Sequence, residues 1–261
     1  MLRNIFTKTL ADQRRSLLWW AVGLSWVIAV YVGGYTSYVE SGLVTEDVPD
    51  FVSTIMGTSN FFDPSGFVTG IVYTLLGSLL VVLAATFAGA RSVAGDEEDG
   101  MLDVLLGHPV SRTSFVVQRA SALAVTMAWF GFVVWAAVAV AAAANDMGLG
   151  LDHIAAASLG LAMTGLVFGL LALTVGALTG SRALALGVTA AVALTSYLLN
   201  ALSPLLGDFD WLGRLSVFHY YLGEDPLRNG FDWPGLGVLT TIAIVLLLVA
   251  MWGLQRRDIA T

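Results

Sequence analysis

The sequence of 261 residues contains 57% hydrophobic and 12% charged residues, and its formal net charge is −7. Because a soluble domain usually carries about 25% charged residues, these charges are too few to cover a surface that faces water. The absence of cysteine excludes disulfides, thiol nucleophiles and iron–sulfur clusters.

The segment 2–16 has the pattern of a basic amphipathic helix. At about 100° per residue, apolar side chains that include Phe6 fall on one side of this segment. The opposite side carries Arg3, Arg14 and Arg15. A helix of this kind lies in the membrane interface, so we expect an interfacial helix over 2–16. A positive patch that only sets the membrane topology is the alternative.

Six segments are apolar over the length of about 20 residues that a helix needs to cross the hydrocarbon core. They cover residues 17–38, 67–90, 115–144, 154–179, 182–204 and 235–254. Backbone groups in hydrocarbon must be hydrogen-bonded within their own segment, so these runs are expected to be helices. The sequence therefore predicts an all-α, polytopic membrane protein in which residues 1–261 form one transmembrane domain.

The connection between the second and third spans begins with acidic residues that include Glu97 and Glu98 and ends at Pro109. Acids suit the first turn of a helix, and proline ends one, so we expect a short cytoplasmic helix over 96–106. Ser111 is placed to cap the helix that follows. The apolar side chains of the short helix are Met101, Leu102, Leu105 and Leu106. They predict a docking surface for a cytoplasmic protein, and insertion into the lipid interface is the alternative.

Two later spans carry patterns with more than one interpretation. The fourth has small residues at helical spacing, among them Gly165, Gly169 and Gly176, which allow close packing within the chain or between copies. The fifth carries mild polar groups that could line a translocation pathway or join helices: Ser196, Tyr197, Asn200 and Ser203. The following segment, 205–234, is too polar to span and is expected to form interfacial or re-entrant helices on the outer face.

Positive charges are concentrated on one side of a membrane that is crossed six times. Of the 12 Lys and Arg residues, only Arg214 and Arg228 fall on the other side. The positive-inside rule then places both termini in the cytoplasm of a protein of the cell membrane.

Several kinds of chemistry have no motif in this sequence. There is no GxxxxGK[ST] loop, HExxH or GxSxG, and no ionisable residue in the centre of a span. We therefore expect no catalytic residue, metal site or cofactor in this chain, and no nucleic-acid partner. A transporter without a charge for ion coupling needs energy from another source.

Three stretches resemble the permease subunits of type-2 ABC transporters, which are export permeases with six spans. The most specific is AGDEEDGMLDVLLGHPVSR, residues 94–112, in which Met101 replaces the more common threonine. The C-terminal GLQRRDIAT and the segment LSVFHYYLGEDPLRNGFDW are similar to the end and the last outer loop of these permeases.

The resemblance implies a separate cytoplasmic ATPase, which binds ATP and Mg²⁺ and docks on the coupling helix 96–106. The helix over 2–16 would be the elbow helix beside it. The working unit would contain two ATPase subunits and two permeases, either two copies of this chain or this chain with a sister permease. The chain would not be an enzyme by itself, and its cargo would be a hydrophobic or amphipathic compound that leaves the cytoplasm. A secondary carrier or channel and a non-transporting scaffold or sensor subunit are the alternatives. An intramembrane enzyme would need a catalytic pair within the spans.

Overall fold

The computed structural model describes residues 5–40, 63–98, 111–203 and 207–257, and for residues 207–210 the backbone only. Its helices in chain order are α1 (Ile5–Gly33), α2 (Tyr35–Glu40), α3 (Pro64–Glu98, with π-helical turns at Thr69–Leu76 and Arg91–Gly95), α4 (Arg112–Ala144), α5 (Leu151–Thr179), α6 (Arg182–Leu202), α7 (His219–Leu222), α8 (Pro226–Asn229) and α9 (Trp233–Arg256). A 3-10 helix, Gly207–Leu215, lies between α6 and α7.

Six helical segments are long and apolar enough to cross a membrane, namely α1 with α2, then α3, α4, α5, α6 and α9. No strand occurs in the described ranges. These observations confirm the prediction of an all-α protein with six membrane spans. Helix α3 also differs from the expected bounds, because it continues from the expected end at residue 90 to Glu98.

The expected interfacial helix over 2–16 is not a separate element in the described part of the chain, which begins at residue 5. Residues 5–16 belong to α1, which runs without a break into the first span. No glycine or proline occurs between residues 5 and 22 to end the helix. Packing on α4 holds this polar start, because the Phe6 N–H donates to Gln118 Oε1 at 3.3 Å and Thr9 is buried.

Polar side chains set the beginnings of three spans. The Ser111 hydroxyl accepts from the Ser114 N–H at 3.2 Å and caps α4, as the sequence predicts. Ser181 caps α6 in the same way, and Asp232 caps α9 through the Gly235 N–H at 3.0 Å. These caps satisfy backbone donors that a helix leaves free at its first turn.

Helix α5 is the most buried span and packs against α3, α4, α6 and α9. A Cβ atom on Gly89 of α3 would overlap the carbonyl oxygen of Gly169 in α5. A Cβ atom on Gly165 would lie 2.8 Å from Val81 Cγ1 of α3. Of the two interpretations of this small-residue stripe, packing within one chain therefore applies at Gly165 and Gly169.

The two ends of the described chain lie at the same end of the bundle, which we call the terminal face. There, Arg119 Nη1 donates to Thr9 Oγ1 at 2.8 Å, and Gln255 Nε2 donates to Thr113 Oγ1 at 2.8 Å. The opposite end, which we call the loop face, carries α2, α7 and α8. An even number of spans requires this arrangement of the two chain ends.

Candidate functional site

The end of α3 is tied to α1 and α4 through a charged pair at the terminal face. Asp96 Oδ2 contacts Arg119 Nη2, and the two side chains are only 18% and 13% exposed. The same guanidinium donates to Thr9 Oγ1 and lies 5.4 Å from the centroid of the Phe115 ring. One arginine therefore joins three spans immediately before the start of the loop 99–110.

A second charged pair ties the next residue of α3 to the end of the last span. Glu97 Oε1 contacts Arg257 Nη2 in a pair that is 15% and 20% exposed. Arg257 Nη1 also faces the Ala177 carbonyl of α5 at 3.3 Å. Arg112 Nη1 donates to the carbonyl oxygens of Leu254 and Arg257 at 2.9 and 2.7 Å. The base of α4, the end of α5 and the end of α9 thus meet beside Glu97.

The third acid of this run, Glu98, is exposed. Its Oε1 atom accepts from the Arg182 N–H at 2.8 Å, at the first turn of α6. Sequence reasoning proposed Glu97 and Glu98 for docking and did not identify their partners within the chain. A basic residue inside an apolar run, such as Arg119, is the signal that could have indicated a buried pair. The docking residues Met101, Leu102, Leu105 and Leu106 lie outside the described residues.

The residues proposed for the elbow occupy different environments. Arg3 lies outside the described residues, and Phe6 is half-buried at the α1–α4 contact. Arg14 and Arg15 are exposed on α1. Their positive charges are available to a lipid headgroup region or to another protein.

An open apolar cavity of about 620 Å³ lies between α3 and α6. Most of its wall consists of aliphatic side chains, including Leu79, Val82 and Leu194. Its polar groups are the hydroxyls of Thr74, Ser78, Thr86 and Tyr197. A wall of this composition suits an apolar compound that has a few hydrogen-bonding groups.

A π-helical turn shapes the α3 side of this cavity. It covers Thr69–Leu76, and π turns inside α-helices are often found at functional sites. A Cβ atom on Gly77 would overlap the Val72 carbonyl oxygen, so the turn depends on glycine at this position. The Tyr73 carbonyl accepts from the Ser78 hydroxyl and, at 3.1 Å, from the Tyr221 hydroxyl.

The four polar residues proposed to line a pathway do not act together. Tyr197 lines the α3–α6 cavity. Ser196 is buried instead, and its hydroxyl accepts from the Val217 N–H at 2.8 Å and pairs with the Ser216 hydroxyl at 3.1 Å. The Ser203 hydroxyl faces the Asn200 carbonyl at 3.5 Å. The structure thus gives Ser196 the alternative role of joining α6 to the segment before α7.

Charged groups attach α8 to the start of α3 at the loop face. Arg228 contacts Asp63 Oδ2 at 2.9 Å, Ser65 Oγ at 3.0 Å and Asp225 Oδ2 at 3.4 Å. Burial raises the pKa of the Asp225 carboxyl above its usual value, although the Arg228 charge opposes this change. His153 of α5 adds a contact to the Leu227 carbonyl at 3.0 Å.

Residues 2–255 match the family model described as "Multidrug efflux system permease Rv1217c, C-terminal domain". The match covers nearly the whole chain. No match was found among curated proteins.

Proposed function

The chain belongs to the family of the multidrug efflux system permease Rv1217c, C-terminal domain, and we propose that it is the permease subunit of an ATP-driven type-2 ABC exporter. Its six apolar helices make it a multi-pass membrane protein. The exporter moves hydrophobic or amphipathic compounds out of the cytoplasm. The observation that carries this proposal is the apolar cavity between α3 and α6, whose volume of about 620 Å³ suits a drug-sized compound.

The energy for transport comes from a separate cytoplasmic ATPase that holds ATP and Mg²⁺. Its docking site is the segment 96–106, with Glu98 and the leucines of the loop as the contact groups. The pairs Asp96–Arg119 and Glu97–Arg257 support this role, because they anchor the base of the loop to α4 and α9. If the ATPase displaces this segment, α4 and α9 would then move with it, rather than the end of α3 alone.

The working unit contains two ATPases and two permeases, in which the second permease is a copy of this chain or a sister protein. Helices α3 and α6 expose large apolar side chains beside the open cavity, including Leu79, Leu83 and Leu194. A second permease packed against this face would separate the cavity from lipid and contribute a second wall to it. A contact between subunits at the Gly165 and Gly169 stripe is not needed for this arrangement.

The terminal face is the cytoplasmic face. It carries most of the positive charge of the described spans, including Arg14, Arg15, Arg112, Arg182 and Arg257. Few basic residues occur at the loop face, where Arg228 is neutralised by Asp63 and Asp225. This asymmetry follows the positive-inside rule and places both termini in the cytoplasm of the cell-membrane protein.

Transport by the permease and its ATPase in proteoliposomes tests the proposal. Ala193→Trp fills the α3–α6 cavity, whereas Ala191→Trp places the same indole on an exposed position of the same helix that does not line the cavity. We expect drug-stimulated ATP hydrolysis and efflux to be lost in Ala193→Trp and retained in Ala191→Trp.

Three results would contradict the proposal in different ways. Efflux that continues without ATP would identify a secondary carrier or channel. A complex that forms but never shows drug-stimulated hydrolysis or efflux would identify a scaffold or sensor subunit. Equal activity of the two tryptophan variants would remove the α3–α6 cavity from the pathway.

A further inference from the structure

A second cavity, of about 540 Å³, opens at the loop face between α7, α8 and the start of α9. It shares no residue with the α3–α6 cavity. Its volume lies within the range of sites that bind small molecules. We call it the loop-face cavity.

Aromatic rings form one part of its wall. Phe231 and Trp233 are stacked, with ring centroids 5.3 Å apart and planes inclined by 15°. Phe231 is 39% exposed and Trp233 is 69% exposed, so both rings are accessible from outside the protein core. The negative potential of an aromatic face attracts organic cations.

Acidic residues form another part of the same wall, namely Glu224 and Asp232. Among the described residues, neither carboxylate forms an ion pair with an Arg, Lys or His side chain. Asp232 is held in position because Oδ1 accepts from the Gly235 N–H at 3.0 Å. No Lys or Arg lines the cavity, and its two carboxylates outnumber its one histidine, His219, so its net charge is negative.

We propose that the loop-face cavity binds an organic monocation with an apolar body, such as a quaternary ammonium or phosphonium compound. The carboxylates of Glu224 and Asp232 attract the charge, and the rings of Phe231 and Trp233 contact the apolar substituents. The headgroup of a zwitterionic lipid fits less well, because its phosphate would lie beside two carboxylates without an arginine or lysine partner. This site does not require that the chain exports drugs, since binding at the loop face needs no ATPase.

Binding of two ions with the same shape and opposite charge tests the site. The full chain in dodecyl maltoside is titrated calorimetrically with tetraphenylphosphonium and, separately, with tetraphenylborate. We expect the cation to bind at least about tenfold more tightly at low ionic strength, and its affinity to fall as salt is added. Equal affinities for the two ions, or an affinity that salt leaves unchanged, would overturn the proposal.

Substitutions assign the binding to this cavity. The double variant Glu224→Gln, Asp232→Asn removes both charges and retains a residue that caps α9, because asparagine is a good helix cap. We expect it to lose roughly tenfold in tetraphenylphosphonium affinity, and Trp233→Leu to lose roughly two- to fivefold. Asp152→Asn is the matched control, since Asp152 is an exposed acid of the loop face outside the cavity.

Three outcomes would locate the cation elsewhere and overturn the assignment. An equal loss in Asp152→Asn would show a general effect of surface charge. Loss of binding in Ala193→Trp with none in the double variant would place the cation in the α3–α6 cavity, which leaves the export proposal intact. The third outcome concerns lipid. A lipid headgroup would be identified as the occupant if tetraphenylphosphonium binds more weakly in phosphatidylcholine nanodiscs than in dodecyl maltoside, and if the wild type retains lipid that the double variant loses.

Discussion

The guanidinium of Arg257 contacts the carboxylate of Glu97, 160 positions earlier in the chain. The contact joins the end of the last span to the base of the loop between the second and third spans. Both side chains are largely buried, so each charge depends on the other for compensation.

Loss of this arginine is expected to destabilise the bundle. Arg257→Gln leaves the Glu97 carboxylate without its charged partner, and breaking a buried pair typically costs about 3 kcal/mol or more. Thermal unfolding of the purified chain in detergent measures the effect. The control is Arg256→Gln, because Arg256 is exposed and its guanidinium lies over the Trp252 ring at 4.5 Å. A melting temperature of Arg257→Gln equal to that of the control would show that the pair contributes nothing.

The hydroxyl of Thr9 is expected to stabilise the contact between α1 and α4. Thr9→Val keeps the shape of the side chain and removes the acceptor for Arg119, which should cost about 1.5–3 kcal/mol for a hydrogen bond to a charged group. Thr240→Val is the control, since that exposed hydroxyl bonds only to the Leu236 carbonyl of its own helix. Unfolding of the two variants at the same temperature in detergent would argue against a role of Thr9 in this contact.

Glycine at position 89 is expected to be necessary for the approach of α3 to α5. Gly89→Ala would introduce a Cβ atom that overlaps the Gly169 carbonyl, and overpacking of this kind typically costs about 1–3 kcal/mol. Gly187→Ala is the matched control, because a Cβ atom there meets no other atom within 4 Å. The control should unfold at the same or a higher temperature than the wild type, since alanine favours helix more than glycine does. Equal melting temperatures for Gly89→Ala and Gly187→Ala would contradict this packing.

The pH dependence of stability should reflect the burial of the Asp225 carboxyl. Because burial raises the pKa of this carboxyl in the folded state, its ionised form opposes folding at pH values above that pKa. This penalty decreases as the pH falls through the folded-state pKa towards the pKa of the same carboxyl in the unfolded chain. Asp225→Asn should therefore unfold at a higher temperature than the wild type near pH 7.

The difference between Asp225→Asn and the wild type should shrink as the pH is lowered. Asparagine is suited to this position, where φ is +46°, because it tolerates the left-handed region as aspartate does. Thermal unfolding in detergent between about pH 7 and pH 4 measures the difference. A wild type that is more stable than Asp225→Asn near pH 7, and that loses this advantage on acidification, would show that the contact with Arg228 outweighs burial and that the pKa is lowered instead.

The number and type of the membrane helices could be predicted from sequence because bilayer thickness imposes a length on every apolar run. The helix bounds were less predictable where polar residues find partners in the fold. Asp96 and Glu97 extend α3 past the apolar run, and their partners are 23 and 160 positions away. A pattern along one helix carries no information about a partner at that separation.

The candidate site was only partly predictable for a similar reason. Tyr197 is one of four polar residues in α6 proposed to line a pathway, and the cavity is beside it. The other wall of the cavity depends on a π turn in α3, which is set by the fit of Gly77 and by the Tyr73 carbonyl contacts with Ser78 and Tyr221. Such contacts follow from three-dimensional packing, and no spacing in the sequence indicates them.

The pairing of Glu97 with Arg257 also has a consequence for biogenesis. The ribosome delivers Glu97 to the membrane when two of the six spans have been made, and Arg257 follows only after the sixth. During that interval, the carboxylate is without the arginine that compensates it in the finished bundle. Membrane insertion of the last helix therefore completes a contact that the second helix begins.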